Sequence, residues 1–437
     1  MKIVLLGAGK SAGFLIEYLA HWAEGKEITL VICDQNTQHL SESHKQYSAI
    51  EWMDGNLSDA EFRKPLLNNA FLTISMLPAF MHPVIAEECI AAKSHFASAS
   101  YESDAMRTLK QSILDKGLIF INECGLDPGI DHMSAMRIIQ RLQAEGFEIE
   151  AFYSYCGGLV APDSRGSNPW AYKFSWNPRN VILAGQGTAR YLKDHQVKFL
   201  PYHRLFAEAR NVTIESETYE GYANRDSMGY ADIYGVHNIS TLLRGTLRNK
   251  NFCAAWDVFV KLGLTDDTYS YPLNSNTRYF DFLHSFLNNG REQLMEMCDG
   301  RLEVLSMIEW TGLLSDRIIP SHLGSPASIL QHLLEEKWKL ENSDKDLVVM
   351  QHQIEAKRGS ERKTIYSSLY LEGELNGKTA MAKTVGLPLA IAVRLIAEHK
   401  ITEAGLHIPI KPNFYEPILD ELEADFGIRF KEKEVLS

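Results

Sequence analysis

Residues 2–34, KIVLLGAGKSAGFLIEYLAHWAEGKEITLVICD, decide how the rest of the chain is read. An apolar run (Ile3–Leu6) meets a glycine turn, then Phe14, Leu15, Tyr18 and Leu19 recur at helical spacing, and a second apolar run (Ile28–Cys33) ends in an acid. Strand, glycine turn, helix, strand and acid, in that order, form the βαβ context of a dinucleotide fingerprint. Gly7 permits the tight turn, Gly9 lets backbone approach a pyrophosphate, and Ala12 is the small residue where helix packs on strand. Lys10 and Ser11 lie between them, near the phosphates, at the positive end of the helix. Asp34 follows the turn by about twenty residues, where a carboxylate accepts the ribose hydroxyls of the adenosine half. A carboxylate there also repels a 2′-phosphate, so NAD is expected rather than NADP. Taken alone, the glycine pattern is common and also fits a βαβ unit with an empty turn.

Working outward, strand and helix keep alternating. Strands are expected at Ala49–Trp52, Ala70–Leu77, His95–Ser100 and Gly117–Glu123, with helices at Asp59–Leu67, Val84–Ala92 and Ala105–Lys116. This is an α/β pattern: a doubly wound parallel sheet of six or more strands over roughly residues 1–125. Its ligands belong beyond the carboxyl ends of the strands, so the loops at 7–13, 34–36, 77–82, 100–103 and 124–132 open onto one crevice, and Leu77 lines the cofactor. Later strands are expected at Ile149–Cys156, Asn211–Ser216, Thr218–Tyr222, Asp346–Ala356 and Lys363–Leu371. The stretch 252–340 reads as helices throughout. The expected layout is therefore a Rossmann domain (1–127, joined by 378–437), an α+β mixed-sheet domain for substrate binding and dimerisation (128–249 and 342–377), and an inserted helical domain (250–341). The C-terminal helix is expected to break near Gly386–Pro388.

Composition narrows the function. The chain has 437 residues, 45% of them hydrophobic and 23% charged, which is the balance of a globular protein of two or three domains. A net charge of −12 argues against nucleic acid and anionic membrane as partners. No run of eighteen apolar residues or leader is read, and the six scattered cysteines fit a reducing cytoplasm better than disulfides or a metal site.

Three polar clusters stand out. NECGLDPGIDHM (122–133) places Asp127 and Asp131 four apart with His132 adjacent, although on spacing alone a turn at 127–129 with Asp131 as a helix cap is the favoured explanation. SYCGGLVAPDSRGSNPWAYKFSWNP (154–178) has two glycines after Cys156 that let backbone lie near a ligand; Cys156 also reads as a small buried residue. YANRDS (222–227) and LRGTLR (243–248) supply Arg225, Arg244 and Arg248. Arginines usually face solvent, but in polar loops of so acidic a chain they are reasonable carboxylate clamps.

GLDPGIDHM, the Cys-Gly-Gly loop, YKFSW, NRDS, LRGTLR and the C-terminal MAKTVGLPLAIA, in this order, resemble the L-glutamate-forming saccharopine dehydrogenase (saccharopine reductase) family over nearly the whole chain. The resemblance implies oxidation of the secondary amine of saccharopine and hydrolysis of the imine to L-glutamate and 2-aminoadipate 6-semialdehyde, in lysine metabolism, by a homodimer. It assigns substrate contacts to Ser100, Tyr101, Arg225, Thr246, Leu247 and Arg248. Asp127 and Ser175 fall beside the cofactor, and Asp127, Cys156 and Tyr101 are the residues for proton and water handling. Departures are the GAGKSAG turn, Val160 and Asp163 in the substrate loop, and CDQN where NADP-using relatives carry an arginine. Two alternatives stand beside this reading: a dehydrogenase of a carboxyalkyl polyamine such as carboxynorspermidine, and a non-catalytic cofactor-binding scaffold.

Overall fold

The computed structural model describes residues 1–184 and 186–436, with the backbone alone at His39. The chain divides into two compact units, one made of Met1–Ala144 and Lys378–Phe430, the other of Glu145–Gly377 and the segment from Lys431.

In chain order the first unit begins with β1 (Lys2–Leu6), α1 (Gly13–Ala23), β2 (Thr29–Asp34), α2 (Gln38–Ser43), β3 (Ile50–Asp54), α3 (Ala60–Leu67) and β4 (Leu72–Ser75). It continues through α4 (His82–Ala92), β5 (His95–Ser98), α5 (Asp104–Thr108), α6 (Lys110–Asp115), β6 (Ile119–Ile121) and α7 (Ile130–Ala144). After the second unit come α16 (Ala380–Ala397), β15 (Gly405–His407) and α17 (Pro412–Phe426). The seven strands form one parallel sheet in the order β15-β6-β5-β4-β1-β2-β3, a doubly wound Rossmann-type sheet. Its central strands are apolar because both faces are covered. Val4 and Leu6 face Ile85, Ala86 and Cys89 of α4, whereas Ile3 and Leu5 face Leu15, Ile16 and Leu19 of α1.

The C-terminal helix is not broken. α16 runs unbroken through Pro388 and is buried along most of its length. It packs so closely on α1 that a Cβ at Gly386 would lie 3.0 Å from Leu15 N and 3.1 Å from Ser11 O. It is also long and apolar enough to cross a membrane (mean hydropathy 1.6), a length the sequence reading missed, yet 83% of it is buried. That burial is what a core helix requires. The expected helix at 105–116 is two short ones meeting at Leu109, and the expected strand at 70–77 narrows to Leu72–Ser75.

The second unit contains β7 (Glu148–Val160), α8 (Pro178–Ile182), β8 (Ala189–Lys193), β9 (Gln196–Leu200), α9 (Tyr202–Leu205), β10 (Arg210–Ile214), β11 (Glu217–Ala223), α10 (Tyr230–Ile233) and β12 (Thr241–Arg248). Five helices follow: α11 (Phe252–Lys261), α12 (Tyr279–His284), α13 (Gly290–Met297), α14 (Leu302–Thr311) and α15 (Pro326–Lys337). Then come β13 (Asp346–Arg358), β14 (Glu361–Glu372) and, at the C-terminus, β16 (Lys431–Leu436). These strands form a nine-stranded mixed sheet around β10-β11-β12-β7-β13-β14-β16, in which β12 and β7 run parallel.

Three differences from the expected layout follow. The boundary falls at 144/145 instead of 127/128, because α7 packs with α17 in the first unit. Residues 431–436 pair with β14 and so belong to the second unit. The helical stretch shares one core with the sheet: Trp170 and Tyr172 of the 161–177 loop interlock with Phe252, Trp256 and Trp338 at ring separations of 5.0–6.2 Å, so no separate helical unit forms.

Candidate active-site residues

The glycine turn is built to hold a dinucleotide. Gly7 adopts φ +90°, and a Cβ on it would come within 3.0 Å of the Leu77 side chain and 3.1 Å of the Met76 carbonyl carbon. At Gly9 an added Cβ meets nothing within 4 Å, so the space over the turn is open, and only glycine leaves it so. Ala12 is fully buried and donates its N–H to Gly9 O, while no side chain caps the start of α1. Its first N–H groups are therefore available to a phosphate. Lys10 is exposed and Ser11 half-buried beside them. The Asp34 carboxylate accepts from Ala8 N at 2.5 Å and from Gln35 N at 2.6 Å, which fixes it at the tip of β2. These residues fit an adenine dinucleotide.

Polar residues gather at the carboxyl ends of β4 and β5. His82 Nδ1 lies 3.0 Å from Ser75 Oγ, and its Nε2 lies 2.9 Å from Ser100 Oγ. Burial pushes the His82 imidazole down to about 4. Sequence reading named Ser100 as a substrate contact but did not single out His82 or Ser75; their signal was serine at the ends of strands that are otherwise apolar.

Beyond β6, Tyr101 donates its hydroxyl to Asp127 Oδ1 at 2.9 Å, which brings together two of the three residues expected to handle protons. Asp127 precedes a cis proline in a turn closed by Gly125 N donating to Pro128 O. Asp131 is not an N-cap: it stands in the first turn of α7 and accepts from Gly129 N at 2.6 Å. His132 is buried against it, Nδ1 3.7 Å from Asp131 Oδ2, and its Nε2 lies 2.7 Å from Glu123 Oε2.

In the second unit the arginines are not all in loops. Arg244 and Arg248 lie on β12, an internal strand, and both are buried; Arg225 is exposed in the loop after β11 with φ +48°. Ala223 pairs with Gly245 and Glu220 with Arg248, so Arg225 and Arg248 stand toward opposite ends of β12. Arg244 lies over the Tyr230 ring at 4.2 Å. Arg248, 3% exposed, sits among Tyr172, Tyr222 and Phe252 with its guanidinium 5.2–5.7 Å from the ring centres. Nη1 donates to Leu247 O, and Nε has no partner among the described residues. Burial works against its charge, and among the groups that favour it are the phenols of Tyr222 and Tyr172 and the thiols of Cys253 and Cys156. Cys156 is buried on β7, paired with Thr246. Thr246 is half-buried and Leu247 fully buried. Gly157 serves packing, not a ligand: a Cβ there would strike Leu247 O at 2.8 Å. Ser175 is buried, its Oγ without a partner among the described residues, in the unit that does not carry the glycine turn.

Residues 3–121 match the saccharopine dehydrogenase NADP binding domain, and residues 125–428 match the saccharopine dehydrogenase C-terminal domain. The mitochondrial alpha-aminoadipic semialdehyde synthase of Rattus norvegicus is 36% identical over 98% of this chain, which spans about half (47%) of that protein's length. The saccharopine dehydrogenase [NADP(+), L-glutamate-forming] of Saccharomyces cerevisiae is 34% identical, with 99% of each chain covered. The solved structure of apo saccharopine dehydrogenase (L-Glu forming) from the same yeast superposes with a TM-score of 0.87 at 30% identity over 99% of both chains. With its dinucleotide turn, its strand-end polar cluster and the two matched domains, the chain belongs to the saccharopine dehydrogenase family.

Proposed function

We propose that this protein oxidises saccharopine with a nicotinamide cofactor and releases L-glutamate and 2-aminoadipate 6-semialdehyde. The observation that carries the reading is Arg248. A buried guanidinium with no carboxylate bonded to it is an expensive arrangement for a fold and a suitable one for an anionic substrate. Saccharopine carries three carboxylates, and Arg225, toward the other end of β12, serves a second one. A carboxyalkyl polyamine would bring positive charge to the same arginines, so the amino-acid substrate is preferred. A non-catalytic scaffold would have no use for either the arginine cage or the Tyr101–Asp127 pair.

A nicotinamide dinucleotide held by the Gly7–Ala12 turn and Asp34 would supply the hydride acceptor for oxidation of the carbon next to the secondary amine. The amine must first lose a proton, and Asp127, held by the Tyr101 hydroxyl, takes it. In the second unit, Arg248 and Arg225 are the guanidinium groups suited to the substrate's carboxylates. Water then adds to the substrate imine and the C–N bond breaks, and Asp127 and Tyr101 are the residues proposed to move the protons involved.

Asp34 favours NAD, although the matched domain and the fungal relatives carry NADP in their names. NADP is thus the second reading of the cofactor. A homodimer, checked by light scattering, and a reducing compartment such as the cytoplasm complete the proposal; all six cysteines are buried and form no disulfide.

The test is turnover. Purified protein is mixed with saccharopine and either NAD or NADP, and reduced nicotinamide and the semialdehyde are followed. Turnover with NAD ahead of NADP is expected, and no turnover with either removes the reading. Arg248→Met should raise the KM for saccharopine about 100-fold (~2.7 kcal/mol) while leaving the cofactor Kd unchanged. The same change should leave thermal stability equal or higher, because it removes a buried charge without a counter-charge. A variant that instead melts early with unaltered KM would assign Arg248 to the fold.

A further inference from the structure

The Tyr101–Asp127 hydrogen bond joins two loops that are far apart in sequence, and each loop is held by an acid that lies beside one buried histidine. On one side, Glu123 holds the loop that carries Tyr101. Its backbone N–H donates to Ser100 O at 3.0 Å, and its Oε1 accepts from Glu102 N at 2.9 Å, so the residues before and after Tyr101 are both tied to it. Glu123 does this with φ +55°, in the left-handed region that non-glycine residues seldom enter. On the other side, Asp131 Oδ1 accepts from Gly129 N at 2.6 Å and fixes the turn that carries Asp127. His132, fully buried, stands between the two acids: Nε2 is 2.7 Å from Glu123 and Nδ1 is 3.7 Å from Asp131.

Glu123 and Asp131 are 3% and 2% exposed. Two acids and an imidazole packed at that depth are a poor way to gain stability, since well-packed apolar side chains of similar volume generally do as well or better. A strained backbone angle in the same cluster points the same way, because such strain collects where geometry is functional. We infer that His132 is a positioning residue: through Glu123 and Asp131 it sets the placement of the Tyr101 hydroxyl on Asp127. The inference deepens the function proposed above and rests on it for its kinetic consequence, while the hydrogen bond itself is independent of substrate.

The experiment is a double-mutant cycle on the full-length chain with two readouts. His132→Phe removes both ring nitrogens and should lower kcat for saccharopine about 10-fold or more, with the dinucleotide Kd unchanged. In a Tyr101→Phe background, where the hydroxyl is already missing, the same change should cost less than about threefold. His132→Gln keeps a donor for Glu123 and should recover part of the loss, and it serves in place of the phenylalanine variant if that one does not fold. The second readout is the fluorine resonance of 3-fluorotyrosine placed at position 101, which should move toward the solvent-exposed value in His132→Phe or His132→Gln. Equal losses in both backgrounds, an unchanged kcat, or an unmoved fluorine signal would each overturn the inference. Wild-type protein that fails to oxidise saccharopine would overturn the proposed function instead, and the fluorine signal would still decide on His132.

Discussion

Asp34 shows how much one side chain decides. Both of its oxygens already accept backbone N–H groups, from Ala8 and Gln35, so the carboxylate is fixed before any ribose arrives. Asp34→Ala should raise the KM for NAD about 10-fold, equivalent to one charged hydrogen bond, and relax discrimination against NADP. Steady-state kinetics with both nucleotides checks this, and an unchanged preference would refute the assignment. His82 gives a second prediction, in stability. Its folded value of about 4 lies below the ordinary 6.5, so the unfolded chain binds the additional proton between those limits. Stability is then fully present above about pH 6.5 and falls by up to ~3 kcal/mol as pH drops toward 4. Urea unfolding at pH 7 and pH 4.5 measures the slope, which should be shallower in His82→Asn. The place of Asp34 at the tip of β2 was legible from spacing because the βαβ unit is local in sequence. His82 was not, because Ser75, Ser98 and Ser100 reach it only when parallel strands bring their ends together.

At the scale of elements, the misreadings share a cause: tertiary packing overrides local signals. Pro388 cannot donate a helical hydrogen bond, yet burial of Leu389, Ile391 and Val393 around it keeps α16 continuous. LRGTLR has the charge of a loop and becomes an inner strand, because Arg244 and Arg248 lie over aromatic rings. The close approach of α16 to α1 gives a further prediction. Gly386→Val adds atoms where even a Cβ would be 3.0 Å from Leu15 N, so α16 must move off the dinucleotide turn. The change should destabilise by about 1–3 kcal/mol and weaken dinucleotide binding, read by thermal melting and by quenching titration with reduced nucleotide. Undisturbed binding in a folded variant would separate α16 from the turn.

For the whole molecule, the Rossmann sheet was legible because its strands are apolar on both faces and its helices periodic. The unit boundaries were less so, since the chain crosses between units three times and composition does not mark the crossings. Removing residues 431–437 should lower the melting temperature slightly, because β16 is an exposed edge strand that pairs with β14, and leave the nucleotide Kd unchanged. Loss of nucleotide binding in that truncation would contradict the division.

The parallel sheet takes its last strand and the helix behind α1 from residues 378–430, after more than two hundred residues of the other unit. On the ribosome, α1 therefore emerges long before α16 exists to cover it. The apolar face of the nucleotide-binding half stays open to solvent, and to chaperones, until that late segment has left the exit tunnel.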